Sequence, residues 1–307
     1  AEEMFRRVAK NIAEIDKRYG ENWKKTEKEF YSVMSNLEFL PNIPALANAG
    51  RPLQQLAACF VLPIEDSIDS IFLTLWRAAK IFKSGGGVGY NFSNLRPRND
   101  VVGSTGGISS GPVSFMKIFD SATEQIKQGG KRRGANMGIL DYNHPDILDF
   151  ITVKSEGGLR NFNISVMVDD KFMKAVQRRK TVQLLNPRTK TPVKEVSARA
   201  IFDLIITEAW KTGDPGLLFF DTINNSVSNC IPKFGPIRST NPCGEKPLYA
   251  FESCNLGSIN LSKFVNNSRF DWKEFERVIK LSVRFLDNVI DANKSVSYTH
   301  LTLPTKA

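Results

Sequence analysis

Asn241-Pro242-Cys243-Gly244-Glu245 places an amide, a thiol and a carboxylate side by side, and a second thiol, Cys254, follows in Ser253-Cys254-Asn255-Leu256-Gly257. In extended backbone, alternate residues point to the same side. The expectation is a strand that presents Asn241, Cys243 and Glu245 on one face and turns Pro242 and Gly244 away. A lone cysteine is most often a small buried apolar residue, but the flanking amide and acid make Cys243 a candidate catalytic thiol. Zinc binding is the competing reading of the cysteines. It fails because the chain has no Cys-x-x-Cys pair and no suitably spaced histidine.

Outward from this stretch, composition sets the bounds. The chain has 307 residues, 41% of them hydrophobic and 24% charged, as in ordinary globular proteins. Four cysteines (Cys59, Cys230, Cys243 and Cys254) do not make a disulfide scaffold at this length. No apolar run is long enough to span a membrane and no signal-peptide pattern is read. A reducing cytoplasm, where thiols serve catalysis, is the expected setting. The formal net charge is +10. It fits a solvated basic surface or anionic small molecules such as nucleotides, and not nucleic acid, because the basic residues are dispersed without an aromatic-basic module. Ala1 falls inside a helical pattern, and residues 296–307 read as a translated sequencing-adapter sequence. Setting that tail aside leaves His144 as the natural histidine, which argues against histidine-based metal sites and triads.

Periodicity organises the rest. Phe5, Val8, Ile12 and Ile15, then Phe30, Val33, Met34 and Leu37, recur at helical spacing, with Gly20 and Asn22 between the two helices. Residues 1–40 are therefore a helical segment, and Pro41-Asn42-Ile43-Pro44 is expected to open a loop. Residues 56–62 read as a buried strand, and Asp66 or Ser67 caps a helix through Ile81. Gly85-Gly86-Gly87-Val88-Gly89 is a turn feeding a strand. Further helices are expected over 115–126, 145–152 with Pro145 in the first turn, 198–212 closed by Gly213, and 270–293. Further strands are expected over 163–168 and 217–221. Strands alternating with helices predict an α/β fold with substantial parallel sheet.

Asn241-x-Cys243-x-Glu245, with Cys254-Asn255-Leu256-Gly257-Ser258-Ile259-Asn260-Leu261, resembles the large catalytic chain of ribonucleotide reductases. The Asn-Pro-Cys-Gly-Glu spelling is most similar to the adenosylcobalamin-dependent class, and the resemblance runs from about Phe5 to Lys294. It implies part of a ten-stranded α/β barrel, with residues 41–295 forming its first half. It implies that Cys243 becomes a thiyl radical and abstracts the ribose 3′-hydrogen, that Glu245 takes the 3′-hydroxyl proton, and that Asn241 positions the sugar. Cys59 and Cys254 match the dithiol that closes to a disulfide as the 2′-hydroxyl leaves as water. Cys230 matches no family position.

The same resemblance places Ala45, the backbone of Ala58 and Cys59, and Gly87 against the ribonucleotide. As bare sequence, the glycine-rich turn is neither a Walker loop nor a Rossmann fingerprint. The Asn42-to-Leu46 segment departs from the Ser-Pro-Thr of the family, since Ile43 and Ala45 offer no side-chain hydrogen bond. Asp66, Lys131 and Arg132 match the site of a deoxynucleoside triphosphate effector; alone, the basic loop 128–136 reads as solvated surface and Asp66 as a helix cap. A thioredoxin-like reductant and a homodimer with the effector at its interface are the partners implied. Two alternatives remain: the large subunit of a two-subunit, metal-dependent reductase, and a non-catalytic nucleotide-binding module. The module would not need Cys59, Cys243 and Cys254 together.

Overall fold

Five short strands, joined by four crossovers that each contain a helix, build the larger part of the molecule. The computed structural model describes residues 1–103, 106–126 and 134–294. The chain forms two compact units, one of residues 1–58 with those from Ser253 onward, the other of residues 59–252.

In the second unit the strands Cys59–Val61, Gly87–Asn91, Asn136–Asp141, Phe162–Val168 and Gly216–Phe219 lie side by side in chain order, all parallel. Helices Ile68–Lys83, Pro112–Gln125, Ile147–Thr152, Asp170–Gln177 and Ala198–Thr212 occupy the crossovers. Strict neighbour-to-neighbour order is that of a curled, barrel-type sheet, because a doubly wound sheet reverses its order midway.

Alternation divides the sheet into two faces. On one, Val88 and Tyr90 are fully buried, and Tyr90 meets the Phe119 ring of helix Pro112–Gln125 edge-on at 5.1 Å. Asn136 is buried there too. Its Nδ2 donates to Thr123 Oγ1 and to the Asn161 carbonyl, and its Oδ1 accepts from Tyr90 Oη, so its polar atoms are satisfied. The opposite face carries Gly87, Gly89 and Asn91 on one strand, and Met137 and Ile139 on the next.

Across that face runs the segment 238–242. Asn91 Nδ2 donates to the Arg238 carbonyl at 2.6 Å. A Cβ on Gly89 would stand 1.7 Å from the Thr240 carbonyl oxygen, and one on Gly87 would stand 2.7 Å from Pro242 Cγ. Two glycines at period two thus let one backbone rest directly on another.

In the first unit, helix Glu2–Ala13 continues as the 3-10 turn Glu14–Tyr19 and ends at Gly20, which takes φ +72°. Asn22 then caps helix Trp23–Ser35, its side chain accepting from Lys25 N. Phe5, Val8, Ile12, Phe30, Val33 and Met34 pack with Val278, Phe285 and Val289 of helix Trp272–Ala292. Within this core the buried Asp16 carboxylate is held by Arg284 Nη2 and Asn288 Nδ2, each at 2.8 Å.

Several elements differ from the sequence reading. The second helix ends at Ser35, short of the expected residue 40, and no loop opens at Pro41: Phe39–Pro41 is a strand paired antiparallel with Gly257–Ile259, and Ile43–Asn48 is a helix. The reason is local, since Asn42 Oδ1 accepts from Ala45 N at 3.0 Å and Pro44 sits in the first turn. Pro145 precedes its helix, which starts at Ile147. The strand Asn136–Asp141, the helix Asp170–Gln177 and the hairpin Thr181–Leu185 with Pro192–Ser197 were not expected. The tail 296–307 lies outside the described residues.

Gly89→Ala should lower unfolding stability by about 3 kcal/mol, because the obstructing atom is backbone and cannot swing aside. Gly103→Ala, where an added methyl meets nothing within 4 Å, should stay within about 0.5 kcal/mol. Urea unfolding midpoints compare the two, and equal midpoints would show that the 238–242 segment is not held against the strand.

Candidate functional site

The thiol motif is a tight turn and not the extended strand expected from alternation. Ser239–Thr240 pairs antiparallel with Pro247–Leu248, and the residues between them close on themselves. Gly244 N donates to the Asn241 carbonyl at 3.0 Å, a four-residue turn with Pro242 at its second position. Gly244 has φ +81°, a backbone region that a side chain would strain. Extended geometry fails here because proline fixes one φ and glycine frees the other.

Asn241 and Glu245 still come together, through ring closure instead of alternation. Asn241 is fully buried. Its Oδ1 accepts from Lys246 N at 3.0 Å, which turns its amide nitrogen toward Glu245, where Nδ2 donates to Oε1 at 2.6 Å. The nitrogen keeps a second hydrogen for another acceptor. Asn241 N also donates to the Lys246 carbonyl. Cys243 and Glu245 are both exposed, so the turn buries its amide and presents a thiol and a carboxylate.

The turn is anchored at both ends. At its entry, the Arg238 guanidinium pairs with Asp141 at the end of its strand. At its tip, Pro242 packs over Gly87, and Asn163 Nδ2 donates to the Pro242 carbonyl at 2.8 Å. Cys59 is buried at the start of its strand and in register with Gly87. Cys59, Gly87, Asn241, Cys243 and Glu245 therefore belong to one unit and one sheet-and-turn assembly. Gly89, Asn91 and Asn163 were missed in sequence. The alternate glycines at 87 and 89 were the signal for a backbone crossing, and Asn163 is an amide in an otherwise mostly apolar strand.

Ala45, Ala58 and Cys254 are in the other unit, all buried, and Ala58 N donates to the Cys254 carbonyl at 3.0 Å. Asp66 is not the helix cap: Ser67 Oγ accepts from Ser70 N, and the Asp66 carboxylate instead holds Arg96 through its Nε and backbone N–H. Lys131 and Arg132 lie outside the described residues. Cys230 is exposed.

His144 is buried with both ring nitrogens engaged. Nδ1 accepts from Asp146 N at 3.0 Å, so Nε2 carries the proton and donates to the Leu95 carbonyl. Burial pushes its pKa below the usual imidazole range. Among the described residues no cluster of three or more His, Cys, Asp or Glu side chains could hold a metal ion. No helix among them is long and apolar enough to cross a membrane.

Comparison with known proteins identifies the family. Residues 1–54 match the family model "Ribonucleotide reductase, all-alpha domain", and residues 57–300 match "Ribonucleotide reductase, barrel domain". A vitamin B12-dependent ribonucleoside-diphosphate reductase of Thermoplasma acidophilum is 58% identical over 268 residues, 86% of this chain and 35% of that protein. Its namesake in Mycobacterium tuberculosis is 50% identical over 296 residues, 95% of this chain and 42% of the relative. A ribonucleoside-diphosphate reductase large subunit of Trypanosoma brucei brucei is 31% identical over 325 residues, covering 95% and 38%. The chain thus spans well under half the length of the curated relatives it matches. Its neighbour-ordered parallel sheet is part of the barrel that the matching model describes, and the chain belongs to the ribonucleotide reductase large-chain family.

Proposed function

We propose that this chain is part of the catalytic subunit of a cytoplasmic, adenosylcobalamin-dependent ribonucleotide reductase, which converts ribonucleotides to 2′-deoxyribonucleotides. The observation that carries the reading is the exposed Cys243 on a turn whose buried Asn241 is bonded to Glu245. Identity is also higher to the vitamin B12-dependent relatives than to the one named as a large subunit, which favours the cobalamin class over the two-subunit form.

The residues present fit that cofactor. A corrin carries its own nitrogen ligands, and the buried, doubly bonded His144 is not needed as a cobalt ligand. The thiol that would face the cofactor is exposed. When bound, adenosylcobalamin supplies through cobalt–carbon homolysis the radical that leaves Cys243 as a thiyl. Cys243 Sγ then takes the ribose 3′-hydrogen atom, which it returns to C3′ once the sugar is reduced, and Glu245, held by Asn241, accepts the 3′-hydroxyl proton and gives it back at the end. Asn241 is also assigned to positioning the sugar. Loss of the 2′-hydroxyl as water takes up two electrons and two protons, and Cys59 and Cys254 supply both on closing to a disulfide. A thioredoxin-like dithiol restores them. Gly87 borders the substrate, and Asp66, Lys131 and Arg132 are assigned to a deoxynucleoside triphosphate effector. Ala45 and the backbone of Ala58 are assigned to the substrate.

In the full-length protein, deoxyribonucleotide formation should require adenosylcobalamin, and Cys243→Ser should lower kcat by about a thousandfold or more. Activity that ignores the cofactor and depends on a metal-loaded second subunit would move the chain to the two-subunit class. Cys59→Ser and Cys254→Ser should each stop sustained turnover with a dithiol reductant. Steady-state rates equal to the parent's in both variants would remove the reducing-pair assignment.

A further inference from the structure

Asn163 is the second residue of the strand Phe162–Val168, Phe-Asn-Ile-Ser-Val-Met-Val. It stands exposed in a strand whose following residues are buried. Register pairs it with Met137, and Met137 with Gly89, so all three lie on the face crossed by residues 238–242. Its Nδ2 donates to the Pro242 carbonyl at 2.8 Å. That carbonyl belongs to the peptide unit whose nitrogen is that of Cys243.

We propose that Asn163 is a positioning residue for the Cys243 thiol, acting through the Pro242–Cys243 peptide; this rests on the role of Cys243 proposed above. The bonds from Asn241 to Glu245 and Lys246 shape the turn but stay within it, so they cannot fix its attitude toward the sheet. Contact between Pro242 and Gly87 sets how close the turn lies. It does not set rotation about the proline, because a methylene packed over a glycine has no directional preference. A hydrogen bond to the carbonyl does, since its lone pairs lie in the plane of the peptide. The Asn163 amide therefore sets the direction in which the next residue projects its Sγ. Hydrogen-atom transfer is steeply sensitive to such placement, and a displacement of about 1 Å costs on the order of a hundredfold in rate. Asn163 is a positioning and not a catalytic residue, because its contact is with backbone.

The test uses the full-length protein with Asn163→Ala, Asn163→Asp and Asn163→Gln. Ala removes the donor, Asp keeps the shape but faces the carbonyl with an acceptor, and Gln keeps the donor on a longer arm. The first readout needs no cofactor: the iodoacetamide alkylation rate of Cys243 relative to the exposed Cys230 of the same molecule. Ala and Asp should change this ratio by about threefold or more and Gln by less, with Cys230 itself unaffected. In turnover, Ala and Asp should lower kcat by about ten- to a hundredfold with KM within about twofold, and Gln should recover part of the loss. An unchanged alkylation ratio in both Ala and Asp overturns the proposal, as does a raised KM at unchanged kcat, which would make Asn163 a substrate contact. Should Ala fail to fold, the near-isosteric Asp decides. Should the parent protein reduce no ribonucleotide, the functional reading fails, while the alkylation ratio still decides the positioning role.

Discussion

Backbone lies directly on backbone where residues 238–242 cross the Gly87–Asn91 strand, and the site depends on that contact. A sheet face normally holds a second element about 10 Å away through interdigitated side chains. Here the missing side chains of Gly87 and Gly89 close the gap, so Thr240 and Pro242 seat at fixed heights above the strand. The thiol turn can then be short, because its base is already at the sheet. A longer turn on a side-chain cushion would carry more conformational freedom at the residue that most needs to be held still.

The anchors of the crossing segment change character along its length. At Arg238 it is held by an ion pair with Asp141 and a hydrogen bond from Asn91, at Thr240 by steric fit alone, and at Pro242 by packing and one amide. Cys243 lies between Pro242 and Gly244 in the turn, which Glu245 follows with its exposed carboxylate.

Much of this was legible in sequence, and the misreadings share a cause. The helices of the first unit followed from apolar spacing with Gly20 and Asn22 as punctuation, because an amphipathic helix repeats its signal over several turns. Asn241, Cys243 and Glu245 were read as one group on the premise of alternation, which proline and glycine overrule; Asn241 and Glu245 still meet because a closed turn also brings its ends together. The strand Asn136–Asp141 was missed because it follows a basic, glycine-rich loop and carries Gly138 in its middle. That glycine is explained only by packing, since a Cβ there would meet Met116 Cε at 2.3 Å. Whether Asp66 or Ser67 caps the Ile68–Lys83 helix was undecidable from two adjacent capping residues. Arg96, thirty positions away, draws Asp66 off.

The first unit is stitched from the two ends of the described chain. Asp16 is held by Arg284 and Asn288, Asn288 also reaches the Ile12 carbonyl, and Leu56 N donates to Asn293 Oδ1. These partners are separated by the whole sheet-bearing unit in sequence, which makes the unit one of high contact order. During synthesis, the helices around Phe5, Ile12 and Phe30 leave the ribosome long before Val278 and Phe285 exist to cover them. At ordinary translation rates that interval is on the order of ten seconds or more. The parallel sheet can assemble within it, while the opening helices wait with their apolar stripes open. The helices made before the sheet are thus completed after it, and across that interval their apolar stripes are what a chaperone would cover.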